Sequence, residues 1–165
     1  MNSRFCFLCF FILICSADAL AQAGTKDSFR SHYYQVLNSS DLQSIDFQLD
    51  NIIGKPVNDS LAFSGALLMK KAGLMKSPGE KLSTFKDGRS RLEQSIKNDS
   101  SNIEYRFLRL IIQENAPSIM RYYINMEEDK NFILQKFSQV NSLLKREIVK
   151  YSSSSKSLKS ANLVE

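Results

Sequence analysis

Hydrophobic residues recur at three- and four-residue intervals along most of this chain, the spacing that lines one side of an α-helix. Phe29, Tyr33, Val36 and Leu37 predict a first helix over Ser28–Leu37. Leu42, Ile45, Leu49, Ile52 and Ile53 predict a second, capped by Ser40 and stopped by Gly54 and Pro56. The third segment, about Asp59–Leu74, is apolar around most of its circumference, which marks a central helix. Its small residues Gly65, Ala66, Ala72 and Gly73 are suited to close approach by neighbouring backbones.

The sharpest start signal is Ser77-Pro78-Gly79-Glu80, with a capping serine, proline at the first helical position and glutamate three residues after the cap. That helix carries Leu82, Phe85, Gly88, Leu92 and Ile96 to about Lys97. A fifth spans Asn102–Asn115 until Pro117 interrupts it, and two more cover Glu127–Val140 and Asn141–Tyr151. The expected fold class is all-α: a short antiparallel array of six or seven helices within residues 22–151. Leu68, Leu82, Phe85, Leu92, Phe107, Leu110 and Ile111 are its expected core. Residues 152–165, SSSSKSLKSANLVE, read as a flexible polar tail.

Composition agrees with helices. Among 165 residues there are 6 glycines and 3 prolines, with 19 leucines against 5 valines and 2 threonines. A sheet would call for more β-branched residues. A hydrophobic share of 43% builds a core and excludes strongly disordered and collagen-like classes.

Residues 1–21 have the parts of a secretory signal peptide: Arg4, an apolar run from Phe5 to Cys15, then small residues offering cleavage after Ala19, Ala21 or Ala23. Ala21 is the expected site. The run is too short for a bilayer core, which takes about 20 residues, so no stable membrane span is expected after cleavage. All 3 cysteines fall in this segment, leaving a mature chain without thiols. A thiol-free exported domain points to a bacterial periplasm, with secretion as the alternative.

The mature chain keeps a net charge of +5, because cleavage removes one charge of each sign. Lys70, Lys71, Lys76, Lys81, Lys86, Arg89 and Arg91 interleave with Glu80, Asp87 and Glu93, as on a solvated helix face. No nucleic-acid partner is expected for an exported chain of this kind. There is a single histidine, His32, and no phosphate-binding loop, G-x-S-x-G or H-E-x-x-H. No metal site or cofactor is expected. Glu127, Glu128 and Asp129 lack calcium-loop spacing and suit a helix start.

Arg106, Arg109 and Gln113 fall on one stripe of the fifth helix and are the candidate binding residues. Guanidinium forks there suit a carboxylate or other anion. The alternative is salt bridging within the fold, to Glu80, Glu93, Glu114 or Asp129. Tyr105, Tyr122 and Tyr123 either edge a pocket or belong to the core.

Gly88, followed by Leu92, Ser95 and Ser100, and then by Asn102-x-Glu104, resembles a tetratricopeptide repeat from its second helix into the next repeat. The resemblance covers Leu61–Asn115 and departs at Ser100, where the repeat has proline, and in its 34-residue period, which the Lys76–Gly79 break displaces. It implies paired helices nesting at Gly88, a position that takes alanine but no large side chain. A second set of strings resembles small exported proteins of Bacteroidota without an assigned activity. These are K-L-x-x-F-x-x-G at Lys81–Gly88, N-x-E-x-R-F-L-R-L at Asn102–Leu110, Q-E-N-A-P at Gln113–Pro117 and E-D-K at Glu128–Lys130. That resemblance implies an all-helical fold and carries no catalytic residue over. The expected function is an exported module that binds an envelope protein or peptide without catalysis. The alternatives are a small periplasmic enzyme or anion-binding protein using Arg106 and Arg109, and an envelope scaffold.

Overall fold

Side-chain caps set where three of the helices begin. The fold is taken from a computed structural model that describes residues 27–159 and residue 163; the expected signal segment, residues 1–21, and its expected cleavage site lie outside the described residues. Helix α1 covers residues 27–38. Asp41 caps α2 (Leu42–Ile52), its carboxylate accepting from the Gln43 and Ser44 amides at 3.2 and 3.1 Å. The cap is thus one residue beyond the expected Ser40, because aspartate supplies two acceptor oxygens to neighbouring amides. Helix α3 spans Val57–Leu74 and α4 spans Pro78–Asn98. Asn102 caps α5 (Ile103–Asn115) through the Tyr105 amide, and Asn141 caps α7 (Ser142–Ser152) through the Leu144 amide.

Two expected starts and stops differ. Ser77 occupies the cap position of α4, but its side chain makes no capping bond. Pro78, with its φ already helical and no amide to satisfy, opens that helix instead. The stretch expected as one helix over Glu127–Val140 is α6 (Met126–Lys136) followed by a 3-10 turn, Phe137–Gln139. Among the described residues the chain is all-α, with seven α-helices and no strand.

The chain divides into two units, residues 1–35 and 36–165. In the described part of the first, Phe29 and Tyr33 have ring centroids 6.1 Å apart, and Tyr33 meets Tyr34 edge-on at 5.6 Å. The second unit is organised around α3 and α4, which run back along each other. Asn58, in the first turn of α3, accepts from Asn98 at the end of α4 at 3.0 Å and donates to the Ser95 carbonyl at 3.2 Å.

Midway, the two helices cross glycine on glycine. A Cβ placed on Gly88 would sit 2.6 Å from the Gly65 carbonyl oxygen, and one on Gly65 would sit 2.7 Å from the Gly88 carbonyl oxygen. Both blocking atoms are backbone, so alanine does not fit at 88 without moving a helix. The expectation that alanine is tolerated there is corrected. Gly73, expected at a close approach too, has nothing within 4 Å of a built Cβ and is exposed.

Leu92, Phe107 and Leu110 are fully buried, and Phe85 and Ile111 nearly so. Leu68 is only half-buried and Leu82 is 45% exposed, so these two leave the expected core. Leu82 lies near the start of α4 beside an open trough, where no helix covers it. The chain beyond Ser152 is not a free tail as far as residue 158. Glu114 accepts from the Ser155 hydroxyl and the Ser157 amide, both at 2.8 Å, and from the Tyr151 hydroxyl at 2.7 Å. Leu158 is fully buried, and this one apolar side chain in the serine-rich run anchors it.

Candidate functional site

Helix α5 carries two different environments. Along its first turns, Arg106 and Arg109 point into a cluster of carboxylates rather than into an open site. Arg109 grips Asp129 with Nε at 2.6 Å and Nη2 at 2.7 Å, a bidentate fork, and gives Nη1 to Glu93 at 2.9 Å. Arg106 places Nη1 on Asp129 at 3.0 Å and on Glu128 at 2.8 Å, and donates Nε to the Ser100 carbonyl at 2.9 Å. Its guanidinium also lies 4.4 Å from the Phe132 ring centre. Asp129 is fully buried.

Glu93 in turn accepts from the Tyr122 hydroxyl at 2.6 Å. Tyr122 is held edge-on by Phe85 at 5.9 Å, with the Arg89 guanidinium 4.8 Å over its ring. Its phenol is pushed well above the usual tyrosine range, first by burial and then by the Glu93 charge. Arg121, just before it, adopts the left-handed conformation at φ 46°. Tyr105 joins α5 to α3 through Asp59 at 2.6 Å; burial and that carboxylate raise its phenol too.

For Arg109, burial works against the cation, but hydrogen bonds and charge from Asp129 and Glu93 outweigh it and hold the guanidinium protonated. Each nitrogen of its fork donates to a carboxylate. A buried arginine held by two carboxylates from different helices acts as a fastener between them. Of the expected partners, Glu93 and Asp129 are the ones used. Glu127 pairs instead with Lys130 at 3.1 Å, so the acidic run at the α6 start is divided between surface and interior. Gln113, the third member of the stripe, is buried, and neither its Oε1 nor its Nε2 has a partner among the described residues. Tyr123 is exposed, as is His32, which is an unpromising setting for a general base. Among the described residues no group of three or more metal-ligating side chains comes together.

The other environment is at the far end of α5. There the end of α3, the start of α4, the last turn of α5 and the 3-10 turn Ser118–Met120 enclose a trough of about 610 Å³. Met69 and Phe85 line it, Gly73 leaves space on the α3 side, and Ile112 closes the α5 side. Leu82 and Ile119 stand at its lips, 45% and 85% exposed. The volume is within the ~300–1,000 Å³ of typical ligand pockets. Sequence reading did not find this trough. Its signals were Pro117, which ends α5 and turns the chain across the helix ends, and Gly73, a glycine with nothing to make room for.

No helix among the described residues is long and apolar enough to cross a membrane. No protein-family model matches the chain, and no curated protein or solved structure matches it either, so the reading of function rests on this geometry.

Proposed function

We propose that this chain is an exported helical interaction module that binds a protein or peptide partner of the cell envelope and performs no catalysis itself. The observation that carries the reading is the apolar trough between α3, α4, α5 and the 118–120 turn, with Leu82 and Ile119 exposed at its lips. Exposed large apolar side chains grouped at a concavity mark binding surfaces, whereas scattered ones do not. The close α3–α4 pairing at Gly65 and Gly88 supports a tetratricopeptide-like helical hairpin as the scaffold. The signal-peptide pattern of residues 1–21 supports export to the periplasm.

The competing reading, an anion- or carboxylate-binding site at Arg106 and Arg109, has less to support it, since both guanidinium groups are already ion-paired, with Asp129, Glu93 and Glu128. The test is site-specific photo-crosslinking in the native envelope, with a benzophenone amino acid at Ile119 and, as control, at exposed Ser138. A discrete adduct from position 119 alone is expected, and it disappears when Gly73→Leu fills the trough. Equal labelling from both positions, or an adduct indifferent to Gly73→Leu, overturns the reading.

A further inference from the structure

We infer that the occupant of the trough is a peptide segment in which acidic side chains flank apolar anchors; this rests on reading the trough as the partner site. Its wall is apolar except for Asn115 and two ionisable side chains, Lys70 and Lys81, and both of these are cations. Each lysine is half-buried, and neither has an ion-pair partner among the described residues. The neighbouring Lys71 shows the contrast: it is paired with Asp46 of α2. Burial without a partner disfavours the Lys70 ammonium, and an incoming carboxylate reverses that penalty.

Among the described residues no acid lines the trough. Of the acids flanking Lys81 on α4, Asp87 is turned to Arg91 at 3.0 Å, and Glu80 is exposed. An apolar ligand of either charge would satisfy the walls, but only an anionic one answers both lysines.

A peptide fits better than an alkyl-chain acid for two reasons. With Leu82 and Ile119 exposed at the lips, a bare hydrocarbon chain would keep one side in water, whereas a peptide covers its anchors with its own polar backbone. Asn115 on the wall gives its amide hydrogens to the Ile111 carbonyl at 2.8 Å and the Tyr151 hydroxyl at 3.3 Å. Its carbonyl oxygen is left as an acceptor, which a peptide N–H can meet and an alkyl chain cannot.

The experiment is selection of a random twelve-residue display library on the purified chain, on a Lys70→Glu/Lys81→Glu variant and on Gly73→Leu. A Lys70→Gln/Lys81→Gln variant and circular dichroism melts establish that altered binding comes from folded protein. The native chain is expected to enrich peptides with Asp or Glu beside Leu, Ile, Phe or Met. Such a peptide should bind the charge-reversed variant at least tenfold more weakly, the glutamine variant to an intermediate degree, and Gly73→Leu not measurably. Peptides that need an open trough but show no acidic bias, or ignore charge reversal, overturn this inference and leave the partner-site reading standing. If no enriched peptide depends on Gly73, both fail. If oleate binds in a Gly73-dependent manner and no peptide does, the occupant is an anionic lipid and the inference is wrong.

Discussion

The two ends of α5 make opposite use of one helix. At its start, charged side chains are buried and ion-paired; beside its end, apolar side chains of the neighbouring elements, Leu82 and Ile119, stand open to solvent. Arg106 and Arg109 reach α4 and α6 through Glu93, Glu128 and Asp129, and so fix how three helices sit together. The last turn of α5 and the 118–120 turn bound a trough that no described residue of the second unit fills. Charge in the interior is expensive unless paired, so its presence here marks structure; an uncovered apolar surface is also unfavourable, which supports the proposal that a partner covers it. The residue types that look most functional in the sequence therefore hold the fold, and ordinary ones line the trough proposed as the site.

The contrast breaks most visibly at Asp129. Replacing it with alanine leaves two buried guanidinium groups short of a partner, and loss of one member of a buried ion-pair network costs about 3–5 kcal/mol. Ile119→Ala, at the lip of the trough, should stay within about 0.5 kcal/mol of the parent, as exposed sites do. Urea denaturation of both variants measures the difference. Comparable losses would mean that the two ends of α5 are not energetically distinct.

Gly88 comes next. In an exposed helix, alanine in place of glycine gains about 1 kcal/mol. At 88 the new Cβ would meet the Gly65 carbonyl oxygen at 2.6 Å and the Met69 amide at 2.9 Å, so Gly88→Ala should instead lose about 1–3 kcal/mol, and Gly88→Leu more. Thermal melts read the sign directly.

Helices were legible because periodicity and caps are local signals, and the importance of Gly88 was legible because a glycine in a good helix demands a neighbour. Burial of Arg106 and Arg109 was open to two readings, because the deciding partner, Asp129, lies 20 residues downstream of Arg109. Position alone does not tell a paired arginine from a free one. The trough was illegible for a stronger reason: a concavity is the absence of a covering element, which no run of residues spells out. The hold on residues 155–158 was missed because serine hydroxyls and backbone amides, generic in a sequence, converge on one carboxylate, Glu114.

Two smaller effects refine the picture. Gln113, in the last turn of α5, is an exception to the matched polar groups of that helix: its amide is buried without partners among the described residues, and Gln113→Met, of similar volume, should stabilise the chain by about 1 kcal/mol in urea denaturation. Glu114 makes the C-terminal clasp sensitive to acid. Burial raises its carboxyl, but hydrogen bonds from Ser157, Tyr151 and Ser155 outweigh that and bring it below its ordinary value of 4.5. A group lowered by folding contributes stability that is fully present above its ordinary value and is lost as pH falls through the lowered one. The melting temperature of the parent should therefore exceed that of Glu114→Gln at pH 6, and the gap should close below 4.5.

The smallest expected effect is at Gly73, and it sets the trough against the glycine crossing most cleanly. Gly73 and Gly88 lie on the two paired helices, and both have backbone that accepts any L-residue. They differ in what a methyl group would touch: backbone atoms within 3 Å at 88, and nothing within 4 Å at 73. Gly73→Ala should thus stabilise the chain, by about 0.5 kcal/mol, the low end of the usual gain because 73 is in the last turn of α3. The same substitution then has opposite signs on facing helices, and packing alone decides which. If Gly73→Ala destabilises instead, the trough closes over that position in solution, and the apolar surface offered to a partner is smaller than the structure indicates.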